Sequence, residues 1–103
     1  MIIQSKKVWL ADQFMAAAIE MENGKIKGVY PYGTKEADVD YGDKRIVPGF
    51  LDIHCHGAFG FDTNDANEEG LRAWSKGIVT EGTTAFLATT ITQSEEVLTA
   101  AVA

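Results

Sequence analysis

Residues 48–57, Pro48-Gly49-Phe50-Leu51-Asp52-Ile53-His54-Cys55-His56-Gly57, decide how this chain is read. A short apolar run opened by Pro-Gly and closed by Gly has the length and punctuation of a buried strand. Side chains alternate along a strand, so His54 and His56 are expected on one face, with Asp52, and Cys55 on the opposite face. Two imidazoles side by side at the C-terminal end of a strand are able to hold one divalent ion together. A catalytic zinc takes about three protein ligands and keeps one position open for water. The pair is therefore expected to be part of a ligand set whose other members lie on later strands.

The neighbouring polar residues each carry a structural reading beside the functional one. Asp52 either orients a ligand by hydrogen bonding or caps a backbone group at the strand start. Cys55, placed by parity toward the helices, reads as a buried structural thiol rather than a third ligand. Gly57 and Asp62 belong to the loop bordering the histidines, residues 57–62, with Asp62 fixing that loop or reaching the substrate side. Asp65, with Glu68 three residues later, reads as the N-cap of a helix carrying Leu71, Trp74, Ile78 and Val79 on its apolar face. Gly77 sits inside that helix at a cost of about 1 kcal/mol against alanine, and Gly82 closes it. Residues 83–89 form the next strand, apolar enough to be covered on both faces. Thr92 and Glu95 then open a second helix. Trp9 and Trp74 both read as core.

Upstream the pattern is β-rich. Residues 2–8, 15–21, 25–30 and 37–41 read as strands, and Asn23-Gly24 has the composition of a type I′ hairpin turn. Residues 1–45 thus read as a small antiparallel β unit, and residues 46–103 as strand, helix, strand, helix. Alternation of that kind indicates βαβ units and a parallel sheet. Two parallel strands cannot cover and flank one another, and an eight-stranded β/α barrel takes about 250 residues. The chain is expected to be the N-terminal piece of a longer protein.

Bulk properties bound the function. The 103 residues carry 15 acids against 9 bases, a net charge of −6. Without a basic stripe to neutralise phosphates, nucleic acid is not an expected partner. One cysteine excludes an internal disulfide. Residues 1–14 lack the apolar core of a signal peptide. No stretch approaches the ~18 apolar residues of a membrane span. The expectation is a protein of the cytoplasm with no membrane partner.

At this point the residues resemble a known family. Residues 46–57, Ile46-Val47 followed by the decamer above, are similar to the opening barrel strand of the amidohydrolase superfamily. Residues 56–66 and 81–92 narrow the likeness to its N-acetylglucosamine-6-phosphate deacetylase family. The resemblance implies an α/β fold: residues 1–45 as the N-terminal part of a small β-sandwich domain, and residues 46–103 as the first units of a (β/α)8 barrel, incomplete here. It implies that His54 and His56 ligate one or two divalent ions such as Zn, Fe or Mn. It implies hydrolysis of the N-acetyl group of a phosphosugar to give glucosamine 6-phosphate and acetate, with a homodimer as the intact form. The family's general base, an aspartate of the last barrel strand, lies beyond Ala103, so no catalytic acid or base is expected within these residues and the isolated piece is expected to be inactive. Two other readings remain open from the residues. One is an amidohydrolase acting on cyclic amides or nucleobases. The other is a non-catalytic β-rich module whose histidines are structural.

Overall fold

In the computed structural model, which describes residues 1–103, Asn23 and Gly24 have φ of 52° and 74°. Positive φ at both central residues is the type I′ geometry, whose twist matches that of the flanking strands. It joins β2 (Gln13–Glu22) to β3 (Lys25–Pro31) in an antiparallel pair that closes at Glu22 opposite Lys25. A second turn of the same kind, Ala11-Asp12 with φ of 47° and 63°, joins β1 (Ile2–Leu10) to β2. It has no glycine, which is why the sequence does not announce it.

The chain divides into two compact units, Met1–Pro48 and Gly49–Ala103. In the first, β4 (Val39–Asp40) and β5 (Arg45–Ile46) both pair with β1 on the edge away from β2. Both pairings are parallel, so the expectation of a purely antiparallel unit is corrected to a mixed five-stranded sheet. Side chains fasten these two-residue strands where ladder bonds are few. The Asp38 carboxylate accepts from the Ile2 amide at 2.6 Å, and Gln4 Nε2 donates to Asp40 Oδ2 at 3.0 Å. The Ser5 hydroxyl, fully buried, pairs with the carbonyls of Gly42 and Lys44 and accepts from the Lys7 amide. Val8, Ala17 and Ile19 form the core, with Ile3, Leu10, Met21 and Ile46 packed against them. Trp9 is not core: it is 39% exposed, its ring 5.0 Å from that of Phe14 at the sheet surface.

In the second unit β6 (Phe50–Cys55) and β9 (Thr83–Ala88) pair in parallel, and α1 (Glu68–Ile78) lies between them in sequence. A parallel pair needs such a crossover. Between β6 and α1 stands a small hairpin, β7 (Gly57–Ala58) and β8 (Phe61–Asp62), then a 3₁₀ turn at Thr63–Asp65. Helix α1 begins two residues later than expected. Ala66 takes a left-handed conformation, which ends the 3₁₀ turn, and Asn67 is the N-cap of α1, its side chain accepting from the Gly70 amide at 3.0 Å. Asp65 caps nothing in α1. Likewise Ser94, not Thr92, caps α2 (Glu95–Val102).

Trp74 and Ile78 are the buried apolar residues of α1, and the Trp74 ring lies 4.5 Å from that of Phe86 on β9. Leu71 and Val79, expected on the same face, are exposed, and Val79 belongs to a 3₁₀ turn, Val79–Glu81, ended by Gly82 at φ 85°. The glycines of α1 are sockets. A Cβ at Gly70 would stand 2.1 Å from the Phe61 ring, and one at Gly77 2.5 Å from the Phe59 ring. Seven residues apart, the two lie on one helix face, so the hairpin's two phenylalanines seat against α1. That close approach accounts for a glycine in a helix interior. Strand β9 is not covered on both faces: Phe86 is partly shielded by Trp74, while Leu87, like Leu51 and Ile53 of β6, is exposed. No helix is long and apolar enough to cross a membrane.

Candidate metal centre

His54 is the fifth residue of β6, and His56 is the first residue after it, so both stand at the strand's C-terminal end. Their Nε2 atoms are 3.2 Å apart and their rings meet edge to face at 68°. The partner of His56's other nitrogen fixes its tautomer. Nδ1 lies 2.9 Å from the Thr89 carbonyl oxygen. A carbonyl only accepts, so Nδ1 carries the proton and donates it, leaving the Nε2 lone pair free toward His54. This is the arrangement of a histidine prepared to ligate, with its distal N–H held by a backbone carbonyl. Two ligands at 2.0–2.1 Å from a tetrahedral ion stand about 3.3 Å apart. The observed separation fits that value, and imidazole nitrogen is a suitable donor for such an ion.

The backbone around the pair is densely bonded. The Thr89 amide donates to the Cys55 carbonyl at 2.8 Å, tying the end of β6 to the end of β9. The His56 carbonyl accepts from both the amide and the hydroxyl of Thr63, at 2.7 and 2.9 Å. Asp62 accepts from the Asn64 amide, and Asp65 accepts from the Asp62 amide, a reciprocal capping box that closes the 3₁₀ turn. Asp62 thus builds the turn next to the histidines. Gly57 is fixed by contact: a Cβ there would be 2.1 Å from the Phe61 carbonyl oxygen.

The β6–β9 ladder slips by one residue between Asp52 and Cys55. The slip interrupts the pairing along which alternation is read, and the Asp52 charge acts on the Cys55 thiol. Asp52 does not touch an imidazole. Its Oδ1 accepts from the His54 backbone amide at 3.1 Å, a backbone cap near the strand's end rather than at its start. Burial pushes the Cys55 thiol up; its hydrogen bond to the Gly57 carbonyl opposes this, and the Asp52 charge adds to it. A raised thiol is a poor ligand and a poor nucleophile at neutral pH.

No group of three or more His, Cys, Asp or Glu side chains is gathered to hold a metal. The residues that sequence reasoning left without a role are Thr63, Asn64 and, through its carbonyl, Thr89. A backbone acceptor leaves no trace in sequence. A cavity of about 370 Å³ lies elsewhere in this unit, lined by Asp62, Thr63, Leu71, Trp74, Ala88 and Ala101 among others. Neither histidine lines it. The buried Trp74 Nε1 has no hydrogen-bond partner.

Comparison with known proteins adds the following. No protein-family model matches the chain. An N-acetylglucosamine-6-phosphate deacetylase of Lysinibacillus sphaericus is 41% identical over 78 residues, 72% of this chain and 20% of that protein. The enzyme of the same name from Vibrio furnissii is 37% identical over 99 residues, 94% of this chain and 24% of that protein. Among solved structures, N-acetyl-D-glucosamine-6-phosphate deacetylase from Mycobacterium smegmatis superposes with a TM-score of 0.89 at 23% identity, over 99% of this chain and 30% of that one. The chain spans a fifth to a quarter of the length of these curated relatives. In sequence and in backbone, this mixed α/β chain is similar to a part of the N-acetylglucosamine-6-phosphate deacetylases.

Proposed function

We propose that these residues are the N-terminal portion of a metal-dependent amide hydrolase that removes the acetyl group from N-acetylglucosamine 6-phosphate. In this reading residues 1–45 contribute to a small β-sandwich domain and residues 46–103 begin a (β/α)8 barrel. One observation carries it: two imidazole nitrogens 3.2 Å apart at a strand's C-terminal end, one with its tautomer set by the Thr89 carbonyl. Barrel active sites lie at that end of the strands. The relatives at 41% and 37% identity support the substrate. The exposed Leu51, Ile53 and Leu87 support further strands packing on this pair.

His54 and His56 would hold a divalent ion through Nε2, with the remaining ligands from later strands. When bound, such an ion supplies Lewis acidity toward an amide carbonyl and toward water. This chain's own part is orientation. The Thr89 carbonyl keeps the His56 proton on Nδ1, and Thr63 and Asp52 hold the backbone on either side of Cys55. Metal analysis and turnover of the full-length protein test the reading. Expected are one or two bound divalent ions, acetate release from N-acetylglucosamine 6-phosphate in preference to cyclic amides, and loss of metal in His54→Ala and His56→Ala. A metal-free protein indifferent to chelators would refute it.

A further inference from the structure

We infer that Asn64 is a positioning residue for His56, acting through the segment after β9. The inference rests on the metal reading above and concerns a residue that does not itself reach an imidazole. Asn64 makes a reciprocal pair with the backbone of Ile91: Nδ2 donates to the Ile91 carbonyl at 3.0 Å, and Oδ1 accepts from the Ile91 amide at 3.0 Å. Ile91 is two residues beyond Thr89, whose carbonyl accepts the His56 Nδ1 proton. The 3₁₀ turn that carries Asn64 also carries Thr63, which binds the His56 carbonyl twice. One short turn therefore grips His56 from two sides, by its backbone through Thr63 and by its ring through Asn64, Ile91 and Thr89.

The turn is built to hold this position. Asp62 and Asp65 close it reciprocally, and Asp62 binds the Asn64 amide at 2.8 Å, which fixes where that side chain starts. The segment it clamps lies past the end of β9, where the ladder no longer restrains it. The other backbone tie near that point is the Thr89 amide to the Cys55 carbonyl. That tie holds the peptide plane before Thr89 and leaves the next plane, which carries the Thr89 carbonyl, free to rotate about the Thr89 Cα. The Asn64 pair holds the backbone on the far side of that plane, at Ile91, and so sets the direction of the Thr89 carbonyl. Without them the carbonyl swings, His56 loses its fixed tautomer, and part of the population presents Nε2–H where a lone pair is needed. Outer partners of this kind change metal affinity by about 10–100-fold.

The test uses the full-length protein, with zinc as the probe. Asn64→Ala is expected to weaken zinc binding about tenfold. Long-range ¹⁵N–¹H spectra of the metal-free protein should show the His56 Nδ1–H signature become a mixture of tautomers. Asn64→Asp keeps the acceptor for the Ile91 amide and should fall between. The unfolding midpoint of each variant, followed alongside, identifies loss of fold; should Asn64→Ala fail to fold, Asn64→Asp decides, and a single His56 tautomer with wild-type zinc affinity in it overturns the inference. Wild-type zinc affinity and a single His56 tautomer in Asn64→Ala would overturn the inference. Loss of zinc in His54→Ala together with that result leaves the metal reading standing, whereas a wild-type protein that binds no zinc sinks the metal reading itself.

Discussion

Gly57→Ala is the most demanding test of the packing beside the histidines. The added Cβ would lie 2.1 Å from the Phe61 carbonyl oxygen and 2.8 Å from the Asp62 Cα. The first distance is about 1.4 Å inside ordinary carbon contact, which begins near 3.5 Å. Both obstacles are backbone, so no rotamer relieves them. Relief requires opening the β7–β8 ladder, which has only the pairs Gly57–Asp62 and Ala58–Phe61. Overpacking of this kind costs about 1–3 kcal/mol. Opening the hairpin also displaces the His56 carbonyl from Thr63, at about 1 kcal/mol for a lost hydrogen bond. The expected loss is about 2–4 kcal/mol, together with weaker metal binding. Urea unfolding of the full-length protein, followed by far-ultraviolet circular dichroism, measures it. Gly77→Ala is the control. Its Cβ meets the edge of the Phe59 ring, but Phe59 is 51% exposed and has room to swing out, and the helix gains about 1 kcal/mol from alanine. Gly77→Ala should be neutral or up to about 1 kcal/mol more stable. A Gly57→Ala protein as stable as wild type would refute the reasoning.

Three further outcomes are expected. Asn67→Ala should cost about 1 kcal/mol by removing the N-cap of α1, and Asn67→Asp should restore most of it, both read from the urea midpoint. Trp74→Ala should cost about 3–5 kcal/mol. Trp74→Phe should cost far less, because the lost ring area is offset by removing a buried N–H that has no partner. The hydroxyl of Tyr30, and after it Lys27, hold Glu20 below its ordinary value of 4.5. Its folded value being the lower one, the stability it contributes is complete above pH 4.5 and disappears as pH falls through the folded value; carboxyl NMR titration should show Glu20 return toward 4.5 in Tyr30→Phe.

Much of this architecture is written in local chemistry. Asn23-Gly24 announces its turn because few other residues accept two positive φ values in succession. The βαβ order follows from apolar runs separated by a capped amphipathic helix, and the histidine pair from their spacing. What escaped prediction depends on tertiary context. The parallel docking of β4 and β5 depends on side chains such as Asp38 and Ser5 reaching an edge strand more than thirty residues away. The N-caps fell on Asn67 and Ser94 because several good capping residues compete within a few positions, and a left-handed Ala66 chose between two of them. The slip in β6 is a property of the pair of strands, which no reading of one strand reveals. The grip on His56 runs partly through carbonyl groups, which every residue has and no sequence distinguishes.

The seating of Phe61 against Gly70 has a consequence for how this segment can vary. Bulk on the helix and bulk on the hairpin are exchanged across a fixed gap. An alanine at position 70 asks for a smaller residue at position 61, and a shrunken residue at 61 leaves a hole that glycine cannot fill. Homologous or redesigned sequences should therefore change these sites in complementary couples, and a lone change at either member should be the rarer and more costly event.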